Sequence, residues 1–154
     1  MTIQSLGAAP GNSRAREEVL RYRGTELWLT PVAATTAPTN KVFLPGVSGM
    51  TRLDAMAAQY DLYRVLACTI EWRTSAAATT SGRIVLAVDY DASDLPTTLS
   101  QLAAIQPQVR PVCWEDASLT LDTSKVMRQK WLRCNTSVLY DAVGFVLSFA
   151  QYSA

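Results

Sequence analysis

The sequence predicts an antiparallel all-β sandwich or jelly roll, and three observations predict it. About seven or eight short segments carry strand patterning, against a pair of short helical ones. No βαβ rhythm and no internal repeat runs through the 154 residues, which argues against a parallel sheet or a solenoid. Apolar residues make up 49% of the chain, so it is not a disordered segment. A single domain of this size buries roughly 68–70% of its unfolded surface without needing a disulfide or a metal.

In chain order, residues 1–23 read as an N-terminal arm and residues 24–154 as the folded domain. Gly7, Pro10, Gly11, Asn12 and Ser13 are loop formers. Arg14, Arg16, Arg21 and Arg23 then stand against Glu17 and Glu18. That excess of positive charge suits either a solvated terminus or a weak phosphate-contacting tail. Residues 26–32 (ELWLTPV) read as a first strand closed by Pro31, and residues 41–44 (KVFL) as a second, ended by Pro45 and Gly46. Over residues 50–64 the period changes. Leu53, Met56, Ala57, Tyr60 and Tyr63 fall on one helical face, and Thr51 with Asp54 resembles a capping box.

Leu66, Cys68, Ile70 and Trp72 alternate with polar or small residues, the period of a half-buried strand. A small polar turn (TSAAATTSG) leads into residues 83–96 (RIVLAVDYDASDLP), and a tight return of this kind implies antiparallel neighbours. Thr98 and Gln101 form a second capping-box pattern ahead of Leu99, Leu102 and Ala103. Residues 109–114 read as a strand whose Pro111 favours an edge or a bulge. Residues 118–121, 131–134 and 144–152 complete the set, the last alternating Phe145, Leu147 and Phe149 with Val146, Ser148 and Ala150.

The chemistry-bearing stretch is the end of the apolar run 84–88. There Asp89, Asp91 and Asp94 follow within six positions, and Pro96 stops any ladder. Clustered hard oxygens suit a cation such as Ca²⁺. On the residue pattern alone, the plainer reading is that these carboxylates only shape a turn and cap a helix.

Composition removes other chemistries. The chain has no His, which excludes the usual triads and most zinc or copper sites. Its three cysteines, Cys68, Cys113 and Cys134, are far apart and odd in number, a pattern that fits a reducing compartment better than a disulfide framework. A formal charge of +1 gives no global attraction to nucleic acid or membrane. No leader-like apolar segment opens the chain, and residues 142–150 are too short to span a bilayer. No phosphate-cradling Gly-rich loop occurs. Asp89-Tyr90-Asp91 lacks the nucleotide-binding α/β context of a sugar transferase, and Ser124 with Lys125 has no evident oxyanion partner. Trp28, Trp72, Trp114 and Trp131 lie in strand patterns and read as core or interface.

Several of these motifs together resemble a known family. Tyr60, Tyr63 and Arg64 close the helical stretch; Thr80, Ser81 and Gly82 make the turn; Tyr90, Asp91, Asp94 and Pro96 end the strand. TTLSQLAAI and LDTSKVMRQKWL follow in order. The ordered set, over residues 25–135, resembles the shell domain of sobemovirus coat proteins and, more broadly, of tombusvirus-like icosahedral plant virus capsids.

The resemblance implies an eight-stranded antiparallel jelly-roll β-sandwich with short helices in the connections. It implies a structural protein, not an enzyme, that self-assembles into a virion shell around positive-sense single-stranded RNA in the host cytoplasm. It also implies Ca²⁺ ligands at Asp91 and Asp94 on a subunit boundary, where a neighbouring copy supplies the remaining oxygens, partly from its C-terminal residues. The family carries a longer Arg/Lys-rich arm than residues 1–23 offer. RNA contacts would fall on Arg14, Arg16, Arg21 and Arg23, or on Lys125, Arg128, Lys130 and Arg133, although the last four read more readily as a solvated, amphipathic loop. The family also runs on for a further strand after the segment matching residues 144–152. This chain stops at Ala154, which leaves either a differently completed sheet or a missing final strand. The alternative reading is a monomeric Ca²⁺-dependent carbohydrate-binding jelly-roll module, and a third is a small metal-dependent enzyme.

Overall fold

The computed structural model describes residues 2–7, 18–28, 36–126, 131–136 and 142–152. In chain order its elements are β1 (Thr2–Gly7), β2 (Glu18–Arg23), β3 (Thr39–Phe43), α1 (Thr51–Ala57), β4 (Leu62–Ala67), β5 (Thr69–Trp72), β6 (Arg83–Asp89), α2 (Leu99–Ala104), β7 (Gln108–Val109), β8 (Ala117–Thr120), α3 (Thr123–Val126), β9 (Leu132–Arg133) and β10 (Phe145–Tyr152). The sheets run β2-β1-β4-β9, β3-β10-β6-β7 and β5-β8. β1 pairs antiparallel with β2 and β4, β4 with β9, β6 with β7 and β10, and β5 with β8.

The chain divides into two compact units interleaved along the sequence. One is Met1–Thr30, Phe43–Cys68 and Asp122–Gly144; the other is Pro31–Val42, Thr69–Leu121 and Phe145–Ala154.

In the first unit, stretches read from sequence as part of an arm are strands. β1 occupies an interior position, with Gln4 paired to Arg21 of β2 on one side and to Arg64 of β4 on the other. Their backbone groups therefore find ladder partners. An interior strand of this sheet thus comes from the N-terminal end of the chain.

The helix predicted over residues 50–64 ends at Ala57, and residues 62–67 are strand. Tyr63 fits a helical face and a period-two face equally well. The alternation of buried Tyr63 and Val65 with half-buried Leu62, Arg64 and Leu66 shows that the second period wins once β1 supplies a ladder. Tyr63 donates its hydroxyl to the carbonyl of Ala142, and its ring meets Phe43 edge-on at 6.1 Å. Gly144 sits where a Cβ would lie 3.1 Å from the Tyr63 hydroxyl and 3.4 Å from the Phe43 ring. The predicted strand 26–32 is not formed over 24–28, and residues 29–35 lie outside the described residues. Trp28 packs edge-on against Phe43 at 5.7 Å and donates its indole N–H to the carbonyl of Ser48.

The alternating run through Cys68 is also two strands. Residues up to Ala67 pair in the β1 sheet, whereas Thr69–Trp72 pair with β8.

In the second unit β6 is the centre. Ile84 to Val88 are all buried, as their continuous apolar run predicts. Val85 and Ala87 pack with Leu102 of α2 and with Ala150, while Ile84 and Leu86 pack with Cys113, flanked by Trp72, Val109 and Phe149. The predicted strand 109–114 shrinks to a two-residue edge strand with an isolated bridge at Val112. Pro111 donates nothing, but its carbonyl accepts the N–H of Ile84. The Thr98–Gln101 capping box forms as its spacing predicts.

Candidate functional site

The acidic turn leaves β6 and is tied at both ends. On the far side Asn40 of β3 donates its Nδ2 to the carbonyl of Pro96 at 3.1 Å and accepts the hydroxyl of buried Ser148 at 2.7 Å. The capping box of α2 follows directly. Gln101 Oε1 accepts the N–H groups of Thr97 and Thr98, and Thr98 Oγ1 accepts the N–H of Gln101.

Between these anchors the carboxylates shape the backbone. Asp89 Oδ1 accepts the N–H of Asp91 at 2.8 Å. Asp91 Oδ1 accepts both the N–H of Ser93 at 3.0 Å and its hydroxyl at 2.6 Å. These are Asx-type turns, the reading in which short acidic side chains replace ladder partners. Asp91 is half-buried and Asp94 is exposed.

The donor set is of the type a hard cation takes, carboxylate and hydroxyl oxygens on a fixed turn. Among the described residues, however, no group of three His, Cys, Asp or Glu side chains converges as a metal site. The thiols do not extend the donor set. All three cysteines are free and buried, and burial pushes Cys68 up to about 11 and Cys134 up to about 12, so both stay protonated at neutral pH.

Of the basic residues singled out from sequence, Arg14, Arg16, Arg128 and Lys130 lie outside the described residues. Arg21 and Arg23 are exposed on β2, Lys125 is exposed on α3, and Arg133 is exposed on β9. Sequence spacing missed Arg64 as their neighbour, because it placed that residue at a helix end. Residues 62–66 carry no sequence signal that separates the two periods; the pairing of Arg64 with Gln4 of β1 is what places it in the row of Arg21.

Antiparallel sheets, a doubly covered central strand and short helices confined to the connections define an all-β protein of the jelly-roll class. The comparisons agree and go further. The family model for viral coat protein (S domain) matches residues 17–141. Among solved structures, the chain is similar to one from Cucumber leaf spot virus, with a TM-score of 0.70 and 21% identity over 82% of this chain and 47% of that one. A Cocksfoot mottle virus structure gives 0.63 and 16% identity over 79% and 77%. A T=1 subviral particle of a Penaeus vannamei nodavirus capsid protein deletion mutant gives 0.64 and 11% over 75% and 66%. A comparison with curated protein sequences returned no match. The chain belongs to the viral coat protein (S domain) family, and is thus a structural protein and not an enzyme. It spans about half the length of the Cucumber leaf spot virus chain it resembles.

Proposed function

We propose that this chain is a virion component whose copies close into an icosahedral shell around positive-sense single-stranded RNA in the host cytoplasm. In this reading Ca²⁺ sits at the boundary between copies. The observation that carries it is the family match, which spans residues 17–141 and so includes the acidic turn, both of its anchors and β6. A similar fold in a T=1 subviral particle supports closure from copies of a single shell domain.

Asp91 and Asp94 would hold the ion, with the remaining oxygens coming from a neighbouring copy. Ca²⁺ supplies positive charge between carboxylates that otherwise repel across the contact. The protein's own part is to fix the turn. The Asn40–Pro96 bond, the capping box and the Asp91–Ser93 bonds hold the two carboxylates on a preset backbone. Because the ligands must be ionised, assembly should depend on both Ca²⁺ and pH.

The test is electron microscopy and sedimentation of the purified chain, with and without a Ca²⁺ chelator at raised pH, alongside nuclease protection of copurifying RNA. Megadalton particles that swell on chelation, and that swell without it in D91N/D94N, are expected. A stable monomer retained on a glycan column would instead select the carbohydrate-binding alternative.

A further inference from the structure

β1 lies between β2 and β4 and pairs with both. Its backbone fills a slot whose walls are Glu18–Arg23 on one side and Leu62–Ala67 on the other. Residues directly opposite one another in a ladder share a face, so the register states which side chains the slot is shaped to receive.

At positions 3 and 5 the walls are apolar. Ile3 stands between Tyr22 and Val65, and Ser5 between Leu20 and Tyr63. Tyr63 and Val65 are buried, and Tyr22 is half-buried. Ser5 therefore holds a row position that suits a larger apolar residue. On the opposite face the walls are basic. Gln4 stands between Arg21 and Arg64, and Thr2 is opposite Arg23. Arg21 and Arg23 are exposed, while Arg64 stacks with its guanidinium carbon 5.4 Å from the centroid of the Trp131 ring. Opposite charges across a ladder stabilise it, yet β1, with the sequence TIQSLG, carries no acidic residue. β1 thus matches the slot in its backbone and mismatches it in side chains at two adjacent positions, Gln4 and Ser5.

We infer that the slot between β2 and β4 accepts, in place of β1, an extended strand of a partner protein that is acidic at the row of Gln4 and apolar at the rows of Ile3 and Ser5. An incoming strand replaces the ladder of β1 bond for bond, so no backbone group of β2 or β4 is left without a partner. Side chains then decide which strand stays. An acidic residue between Arg21 and Arg64 gains two opposite-charge neighbours, and a β-branched residue at the row of Ser5 adds apolar area between Leu20 and Tyr63. The connection from β1 to β2, residues 8–17, exceeds the roughly 2–5 residues of ordinary hairpin loops. That length lets β1 leave while β2 keeps its place. The β1 strand of a second copy brings the same glutamine and the same serine, so it gains nothing over the strand already present. The exchange needs neither Ca²⁺ nor RNA and stands apart from the shell reading.

The test is fluorescence anisotropy of two labelled peptides, TIEVLG and TIKVLG, titrated with the full chain. They place Glu or Lys at the row of Gln4 and Val at the row of Ser5. TIEVLG should bind about 10-fold more tightly than TIKVLG. R21E should abolish that preference, and R73E, which alters an exposed arginine of the other unit, should keep it. S5V improves the fit of β1 itself and should weaken TIEVLG binding about 10-fold. Hydrogen exchange reads the place of binding. Saturating TIEVLG should strip protection from the amides of Thr2–Gly7 while those of Leu62–Ala67 keep theirs.

Absence of binding, equal affinity for the two peptides, or a preference that survives R21E overturns the inference. So does an S5V chain that binds TIEVLG as tightly as the unsubstituted one. Binding that leaves the β1 amides protected places the peptide elsewhere and overturns it too. Dimers that exchange β1 between copies without any peptide would assign the slot to a second copy, with the same consequence.

Discussion

Ser48 is bound twice to one oxygen of Asp54: its backbone N–H at 3.1 Å and its hydroxyl at 2.8 Å both donate to Oδ1. Gly46 donates its N–H to the same oxygen at 2.8 Å, and Gly49 donates to Oδ2 at 2.8 Å. A carboxylate on α1 therefore gathers the loop before its own helix. The loop turns through left-handed Gly46 (φ 103°) and Gly49 (φ 87°), a conformation that disfavours other residues.

Charge-assisted bonds of this kind are the strong ones, and Ser48 is fully buried, so it has no water to turn to. Asp54→Ala should cost about 3 kcal/mol and Asp54→Asn about half of that. Urea unfolding with an unchanged m-value reads both. An Asp54→Ala midpoint indistinguishable from the unsubstituted chain would refute the clamp.

Glu26 caps α1 from a distance. Its Oε2 accepts the N–H of Arg52 at 2.9 Å and its Oε1 that of Leu53 at 3.0 Å, while the local N-cap, Met50, makes no side-chain cap. Glu26→Ala should destabilise the chain by about 1 kcal/mol, the usual worth of a cap. Glu26 also accepts the Tyr22 hydroxyl at 2.9 Å. Burial first, and then this bond, push the Tyr22 phenol above its ordinary value of 10.0. In Glu26→Gln the Tyr22 titration should move down, followed by ring-carbon NMR through an alkaline series. A Tyr22 curve that stays put in Glu26→Gln would remove Glu26 as a cause.

The parts legible in the sequence are those set by local pattern. The run 84–88 announces a strand buried on both faces. The Thr98–Gln101 spacing announces a capping box, and Pro111 announces an edge. What stayed hidden depends on partners far along the chain. Thr51 and Asp54 show capping-box spacing, yet the cap comes from Glu26 and Asp54 serves the loop instead. Residues 62–67 satisfy two periods, and only the pairing with β1 decides between them. Likewise the acidic spacing 89-91-94 is visible at once, but Asn40, which ties its far end, lies on another strand. Arg21 and Arg64 become neighbours only through the register of Gln4.

Asp116 joins residue Thr74 to the β5-β8 ribbon. The N–H of Thr74 donates to its Oδ1 at 2.9 Å and Arg73 to its Oδ2 at 3.0 Å. The Thr74 bond first, then Arg73, hold its carboxyl below the ordinary 3.8. A carboxyl lowered in the folded state contributes stability above its unfolded value and loses it as pH falls through the folded one. The difference in unfolding midpoint between the unsubstituted chain and Asp116→Asn should be constant near neutrality and close only below pH 3.8. A gap that closes between pH 7 and 5 would mean that another group titrates. Because Asp116 is exposed, raising the salt should shrink the Arg73 share while leaving the Thr74 bond.

Asn40 is the pivot between the β10 strand and the acidic turn, since it accepts from buried Ser148 and donates to Pro96. The two substitutions available there should not be equivalent. Asn40→Ala strands a fully buried hydroxyl and frees the Pro96 carbonyl, a loss of about 2 kcal/mol. Ser148→Ala removes the hydroxyl itself and should cost less, and in the double variant the Asn40 penalty should fall, a coupling of about 1 kcal/mol. The turn offers an independent reading. The N–H groups of Asp91 and Ser93 are held by Asp89 and Asp91 side chains, and that arrangement depends on a fixed exit at Pro96. Hydrogen exchange at these two amides should therefore quicken in Asn40→Ala while the amides of Val85 and Leu86 in β6 keep their protection. Equal loosening of β6 would show that Asn40 supports the whole sheet rather than the turn, and unchanged exchange at Asp91 and Ser93 would show that the turn holds its carboxylates without it.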